Sequence, residues 1–296
     1  MSEAKHPVAK HSLKHRFEAG LARVVFALVR HMPFSAISAF GGRLGRMIGP
    51  LTGAHRTAAR NLALALREVD EAARAKILDD AWDNFGRTMM EYAVLSKLAD
   101  APERIVVEGY EPLAALAREG RGAVLFCAHL GNWEIIPMAL ARLAKPLTIV
   151  YRAPNNPLVD DIIGEIRKPY TAGMAPKSAA GARLMLKALA NNEHLILVVD
   201  QKINTGMEIP FFGRGSFTGD AVARFAMRFN CPVFPVRTER LEDGRFKVTV
   251  EEPWTFPAQG NDDDARAALT RINERLEVWI RARPGQWLWM HKRWPK

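Results

Sequence analysis

The sequence predicts an α/β fold: a mostly parallel central sheet flanked by helices, with a helical extension at the N-terminus. Three observations point there. Short apolar, β-favouring runs at 104–107, 122–127, 146–151, 195–199 and 232–236 alternate with stretches of helical periodicity, the pattern of parallel strands joined by crossover helices. Upstream of Pro102 the apolar positions recur at helical spacing instead. His129, Arg152, Asp200 and Arg237 each stand just past one of the runs, and parallel sheets gather reactive groups at the carboxyl ends of their strands.

The elements follow in order. Phe17, Leu21, Val24, Val25, Leu28 and Val29 recur at helical spacing, with Lys14, Arg16, Arg23 and Arg30 between or beside them. Two readings of this helix stand: an amphipathic element lying on a membrane interface, or a helix packed on the core. A membrane span is not expected, because the uncharged stretch 31–42 falls short of the roughly 20 residues a bilayer requires. No uninterrupted apolar core with a small-residue cleavage site marks a signal peptide. Helices are expected over 56–66 and 70–98, the second with Ile77, Leu78, Ala81, Trp82, Phe85, Met89 and Tyr92 on one side.

The run 122–127 is continuously apolar, as in a strand buried on both faces. His129 lies just beyond its tip. Gly131 suits a sharp turn, and Asn132 suits the cap of a helix whose apolar positions run Ile135, Ile136, Met138, Ala139, Leu140 and Leu143. A helix over 158–168 carries Arg167, and the run 195–199 delivers Asp200. The Gly- and Phe-rich stretch 209–219 reads as a loop with phenylalanines exposed beside Arg214, and Thr218 or Asp220 caps the next helix. Trp287 and Trp289 read as packed, whereas Trp294, beside Lys292 and Arg293, reads as an interfacial anchor.

Composition excludes several classes. With 48% hydrophobic and 25% charged residues the chain can bury a sizeable core, and no repeat or Ser/Gly-rich linker divides it. Cys127 and Cys231 are the only cysteines, so neither a disulfide scaffold nor a zinc site is indicated. Cys127 stands two residues before His129, which raises an acyl-cysteine intermediate as an option beside the simpler reading of a buried strand residue. The net charge of +10 is concentrated at the ends: ten Lys/Arg against two acids in 1–60, five against none in 281–296, and −3 in between. Such ends suit docking to an anionic surface. Nucleic acid is disfavoured as that partner, since zinc-finger spacing, RNP-like aromatics and a basic recognition helix are all missing.

His129 and Glu134 stand five positions apart across a Gly-Asn turn. Residues five apart share no helix face, so the pair meets only if the chain bends between them. A carboxylate beside an imidazole fixes its tautomer and favours its protonated form, and such a dyad suits removing a proton from an alcohol. The alternative is a loop histidine and a first-turn acid favoured by the helix dipole.

The stretch His129-Leu130-Gly131-Asn132-Trp133-Glu134 after an apolar strand resembles the H-x-x-x-x-[DE] block of the late lipid A acyltransferases, the lauroyl/myristoyl transferase family. Further segments resemble that family's other blocks in collinear order: 84–88 (Asn-Phe-Gly-Arg-Thr), 150–157, 200–202 (Asp-Gln-Lys), 210–213 and 287–294. The resemblance implies a glycerolipid-acyltransferase-like fold, with 1–60 a basic, helical, membrane-associating segment and 61–296 the acyltransferase domain. It implies His129 and Glu134 as catalytic base and orienting acid, with Arg167 near that acid to stabilise an oxyanion or a donor phosphate. Asn132, Arg152 and Asp200 join the site as substrate-binding or oxyanion candidates. Arg152 would either hold a phosphate bidentately or brace Asp160 or Asp161, and Asp200 would either stabilise the imidazolium or cap its own loop. The implied partners are an acyl carrier protein thioester as donor, a lipid A precursor or related glycolipid as acceptor, and the cytoplasmic face of the bacterial inner membrane. No cofactor or metal is called for. Other outcomes are acylation of a different glycolipid or lysophospholipid, or a non-enzymatic basic membrane-binding module.

Overall fold

The computed structural model describes residues 12–141, 146–151 and 153–294. Five helices come first: α1 (Leu13–Val29), α2 (Phe34–Ile48), α3 (Gly53–Ala65), α4 (Glu71–Glu91) and the short α5 (Leu95–Ala99). The helix expected over 70–98 is therefore two, separated by a 3-10 turn at Tyr92–Val94. Strands and helices then alternate: β1 (Ile105–Glu108), α6 (Glu111–Arg118), β2 (Val124–Cys127), α7 (Ile135–Leu140), β3 (Leu147–Tyr151), α8 (Pro157–Arg167), β4 (Gly173–Pro176), α9 (Ala179–Ala190) and β5 (His194–Val198). The chain closes with a hairpin of β6 (Met207–Phe211) and β7 (Arg214–Thr218), then α10 (Ala221–Phe229), β8 (Val233–Arg240), β9 (Phe246–Val250) and α11 (Asp262–Ala282).

Seven strands form one sheet in the order β1-β9-β8-β2-β5-β3-β4. Its neighbours are parallel except for the antiparallel pair β8 and β9. The five expected strands are all present, and β4 and β9 are additions. Every residue of β2 is buried, and its side chains alternate between two cores. Val124 and Phe126 face one containing Trp254, Trp279 and the α3 residues Ala58 and Leu62. Leu125 and Cys127 face the other, with Ile37, Leu95, Leu98 and Leu113. Burial on both faces is why β2 reads as an unbroken apolar run.

The stretch 209–219 corrects the expected loop. It is the β6–β7 hairpin, turning at Phe212 and Gly213 with positive φ at both (51° and 67°). Phe211 and Phe212 are buried rather than exposed. Trp294 is corrected as well: only 3% exposed, it stacks on Phe211 and donates from Nε1 to the Phe211 carbonyl at 3.1 Å. The C-terminal tail is thus part of the core, anchored by the buried Asn61, whose amide donates to the carbonyls of Trp289 (2.8 Å) and His291 (2.6 Å).

Helices α2 and α4 cross with their backbones in contact. Gly41 and Gly45 on α2 meet Gly86 on α4, and a Cβ on Gly86 would overlap the Gly41 carbonyl oxygen. Glycine normally weakens a helix interior by about 1 kcal/mol relative to alanine. Here the overlap with backbone outweighs that gain, so Gly86→Ala is expected to destabilise the fold by about 1–3 kcal/mol, read as a lowered denaturation midpoint. A midpoint equal to or above that of the parent chain would show that the helices can separate freely.

Candidate active site

The site is assembled by strand register. Strands β2 and β5 run parallel with Cys127 opposite Val198, so His129 and Asp200, each two residues further on, emerge side by side from neighbouring strands about 4.8 Å apart. His129 Nδ1 lies 2.8 Å from Asp200 Oδ1. The backbone amide of His129 donates to Asp200 Oδ2 at 3.0 Å, and Trp287 Nε1 donates to the same oxygen at 2.7 Å. Burial alone would raise the Asp200 pKa, but the His129 ring and the bonds from His129 and Trp287 outweigh it and hold the carboxyl well below the usual range. An ionised Asp200 only accepts, so Nδ1 carries the hydrogen and the neutral ring keeps its lone pair on Nε2.

The loop that presents His129 is fixed from several sides. Gly131 has φ +57°, and a Cβ there would lie 2.9 Å from the Thr238 carbonyl oxygen, so only glycine fits without displacement. Its carbonyl accepts from Asn84 Nδ2 (2.9 Å) and Thr88 Oγ1 (3.2 Å), while its amide donates to the Gln286 carbonyl at 3.0 Å. The Leu288 amide donates to the His129 carbonyl at 3.1 Å, and Trp133 stands edge-on to the imidazole with centroids 4.8 Å apart.

Glu134 does not take the orienting role expected of it. Its carboxylate is gripped by Arg167, which donates from Nε to Oε2 (2.8 Å) and from Nη2 to Oε1 (2.6 Å), and Tyr92 donates its hydroxyl to Oε1 at 2.7 Å. Burial would lower the Arg167 pKa, but the Glu134 charge and hydrogen bonds reverse the shift, so the guanidinium stays charged. Burial, then the Glu134 carboxylate, pushes the Tyr92 phenol well up. The expected proximity of Arg167 to the acid is therefore present, and the acid beside the ring is Asp200.

Asn132 belongs to a different network. Helix α7 begins at Ile135 without a side-chain cap. Asn132 accepts the Glu134 amide at 3.1 Å and donates to Glu91 at 2.8 Å, and the buried Glu91 also takes a two-pronged grip from Arg240. Arg152 lies outside the described residues. Tyr92, Trp287 and the Glu91–Arg240 pair were missed as site residues. Of these, Trp287 alone stood in a segment singled out beforehand for its resemblance.

His129, Glu134 and Arg167 share a cavity of about 320 Å³ with Cys127, Trp133 and Tyr151. The imidazole is 18% exposed into it while Asp200 is 2% exposed. Cys127 is a poor nucleophile there: burial, then the charges of Asp200 and Glu134, pushes its thiol well up, leaving it protonated. The cavity thus brings Nε2 of an imidazole held in one tautomer beside a buried, compensated cation.

Comparison with known proteins identifies the lineage. The profile of bacterial lipid A biosynthesis acyltransferases matches residues 8–296. The chain belongs to that family. It is an acyltransferase. The lipid A biosynthesis acyltransferase of Haemophilus influenzae is 23% identical over 89% of this chain and 83% of its own. The lipid A biosynthesis lauroyltransferase of Escherichia coli is 25% identical over 91% and 88%, and the phosphatidylinositol mannoside acyltransferase of Mycobacterium tuberculosis is 27% identical over 79% and 75%.

Two variants separate the two acids. Asp200→Asn is expected to fold and to lose about 10²–10⁴ in kcat with the substrate KM little changed. Glu134→Gln leaves Arg167 buried without its counter-charge and is expected to cost about 3–5 kcal/mol of stability. Steady-state kinetics and thermal melts on both proteins decide this, and a Glu134→Gln protein with an unchanged melt would remove the structural role given to that pair. The depressed Asp200 pKa also sets a pH dependence. Its unfolded value is about 3.9, so the unfolded chain binds the extra proton first. The stability from this carboxylate is full above that value and lost as the pH falls toward the folded one. Melting temperatures between about pH 6 and 3 should therefore fall less steeply in Asp200→Asn than in the parent chain; matching slopes would contradict the shift.

Proposed function

We propose that the protein transfers a fatty acyl group from an acyl thioester, carried by acyl carrier protein, to a hydroxyl of a lipid A precursor. The observation that carries this reading is the His129–Asp200 pair, which leaves Nε2 as the proton acceptor within the cavity that Arg167 also lines. Nε2 takes the proton of the acceptor hydroxyl as its oxygen attacks the thioester carbonyl. The tetrahedral oxyanion is held by the Arg167 guanidinium, which lines the same cavity and is fixed there through Nε and Nη2 by Glu134. Collapse breaks the C–S bond, and the imidazolium returns its proton to the leaving thiolate. His129 is the base, Asp200 its positioning residue, and Glu134 positions Arg167. The transfer is direct between the two substrates, since Cys127 stays protonated.

Membrane association is part of the same proposal, with residues 1–60 as the attaching segment of the 61–296 acyltransferase domain. No helix among the described residues is long and apolar enough to cross a membrane. On α1, however, Leu13 (84% exposed), Phe17, Leu21, Val24 and Leu28 recur every three or four residues and form one outward stripe. Asn156, at the N-terminus of α8, donates to the His15 carbonyl (3.0 Å) and to Glu18 (2.9 Å). The stripe is therefore pinned to the helix that carries Arg167. This favours a chain lying on the cytoplasmic face of the inner membrane, where the thioester donor is available.

A second acceptor has one observation in its favour: the mycobacterial relative, 27% identical, is named for acylating a phosphatidylinositol mannoside. Purified protein offered carrier-protein thioester with either glycolipid distinguishes the two. Mass spectrometry of lipid A from cells with and without the protein is expected to show one acyl chain fewer in its absence. An unchanged pattern together with no transfer in vitro would leave only a non-enzymatic membrane-binding module. Replacing Phe17 and Leu21 by Asp is expected to weaken partitioning onto anionic vesicles at least about tenfold, measured by flotation, without altering the melt.

A further inference from the structure

Resting on the acyl-transfer reading, we infer that a second, basic cavity beside the catalytic one holds a phosphate group of the acceptor glycolipid. This cavity, about 840 Å³, is lined by Arg56, Arg60, Lys202 and Lys292 together with Met290, Trp294 and small residues, and none of the described residues lining it is acidic. Arg56 and Arg60 stand one turn apart on α3 and project to the same side. Lys202 comes from the loop after β5 and Lys292 from the C-terminal tail. Cations from three separate segments repel one another, and a concavity whose described charged lining residues are all basic focuses its field on an incoming anion. Arginine and lysine are the side chains that hold phosphate.

The two cavities adjoin through the same two segments. Gln201 and His291 line the catalytic cavity, and each is followed directly by a lysine of the basic one. The Lys202 amide donates to His291 Nε2 at 3.0 Å, which ties these segments together. Lys202 is two residues from Asp200, at most about 7 Å of chain, and Asp200 touches the His129 ring. An anion bound here is thus within a sugar ring or two of the hydroxyl being acylated.

That separation selects the ligand. In a carrier-protein or coenzyme A thioester the nearest phosphate is a full pantetheine arm from the reacting carbonyl, too far to occupy this basin while the thioester sits at His129. An acidic protein surface is convex and spreads its charge, whereas this site is concave. A phosphate on the acceptor headgroup satisfies both distance and shape.

The test uses the full chain and phosphatidylcholine vesicles doped with phosphorylated tetra-acylated lipid A precursor or with its phosphatase-treated form. The parent chain is expected to partition at least about tenfold more strongly onto the phosphorylated vesicles. The double variant Arg56→Gln/Lys292→Gln, both exposed positions, should lose most of that preference and raise KM for the phosphorylated acceptor about tenfold while kcat is kept. Arg56→Gln alone serves if the double variant fails to fold. Equal partitioning of the parent chain, a preference retained in the variant, full substitution by phosphatidylglycerol at equal charge, or an effect confined to the donor KM would each overturn the proposal. A parent chain that shows the preference but transfers no acyl group retires the acyl-transfer reading and leaves the phosphate site standing.

Discussion

Cys127 and Val198 lie opposite each other at the ends of two parallel strands, and the site depends on that pairing. Side chains in a strand alternate faces, so a slip of one residue would turn either His129 or Asp200 to the opposite side of the sheet. What prevents the slip is the apolar burial of β2 on both faces, since a shift would also exchange the residues of two packed cores. The hydrophobic effect over the sheet is thereby converted into a 2.8 Å contact between two polar groups. Trp287 completes it from the far end of the chain, because the tail is stapled to the same loop through the Leu130–Trp287 bridge and the Leu288 amide.

The two carboxylates of the site are kept apart by what surrounds them. Asp200 meets one imidazole and two N–H donors, so it stays ionised and holds the ring in one tautomer. Glu134 meets a guanidinium, which compensates its charge as a buried pair, and a phenol that donates a hydrogen bond to it. A single acid serving both the ring and Arg167 would have to divide its charge between two cations whenever the imidazole is protonated. With two acids, each cation has its own counter-charge, and protonation of the ring leaves the Arg167 pair undisturbed.

Much of this was legible in the sequence where burial is two-sided or charge is local. Strands β2, β3, β5 and β8 read as apolar runs because both faces of the sheet are covered there, and α1 showed its stripe through spacing alone. Strand β9 escaped because Phe246, Val248 and Val250 alternate with the less buried Lys247 and Thr249, as befits the antiparallel neighbour of β8 and not a buried parallel run. The β6–β7 hairpin was read as a loop because Pro210 and Gly215 suggest breakers and its turn is Phe212-Gly213, where Asn-Gly is the usual signal for positive φ at both positions. The His129–Asp200 pair lies 71 residues apart in sequence. It follows from register, which one-dimensional spacing does not carry. Asp200 stood in the sequence with two readings open, partner of the imidazolium or cap of its own loop; the local pair His129 and Glu134 was the more conspicuous, and the bend at Gly131 brings both to one cavity without joining them.

The charge distribution gains its meaning only in three dimensions. The sequence places its excess of Lys and Arg at two ends separated by a near-neutral body, which suggests two independent anchors. The buried Asn61 on α3 binds the carbonyls of Trp289 and His291, so part of the first basic region and the second are a single surface. Trp294 is buried against Phe211, which withdraws from the interface the one aromatic that would have made the tail an anchor in its own right. What remains is Lys292 facing Arg56 and Arg60 across a cavity, next to the segment that positions His129. Cations directed toward a concavity recognise a particular anionic group, whereas a general membrane contact needs them spread along a rim. The apolar stripe of α1 is better suited to the second task, so the two proposals assign attachment to lipid to α1, and recognition of the acceptor headgroup to α3 together with the loop after β5 and the C-terminal tail.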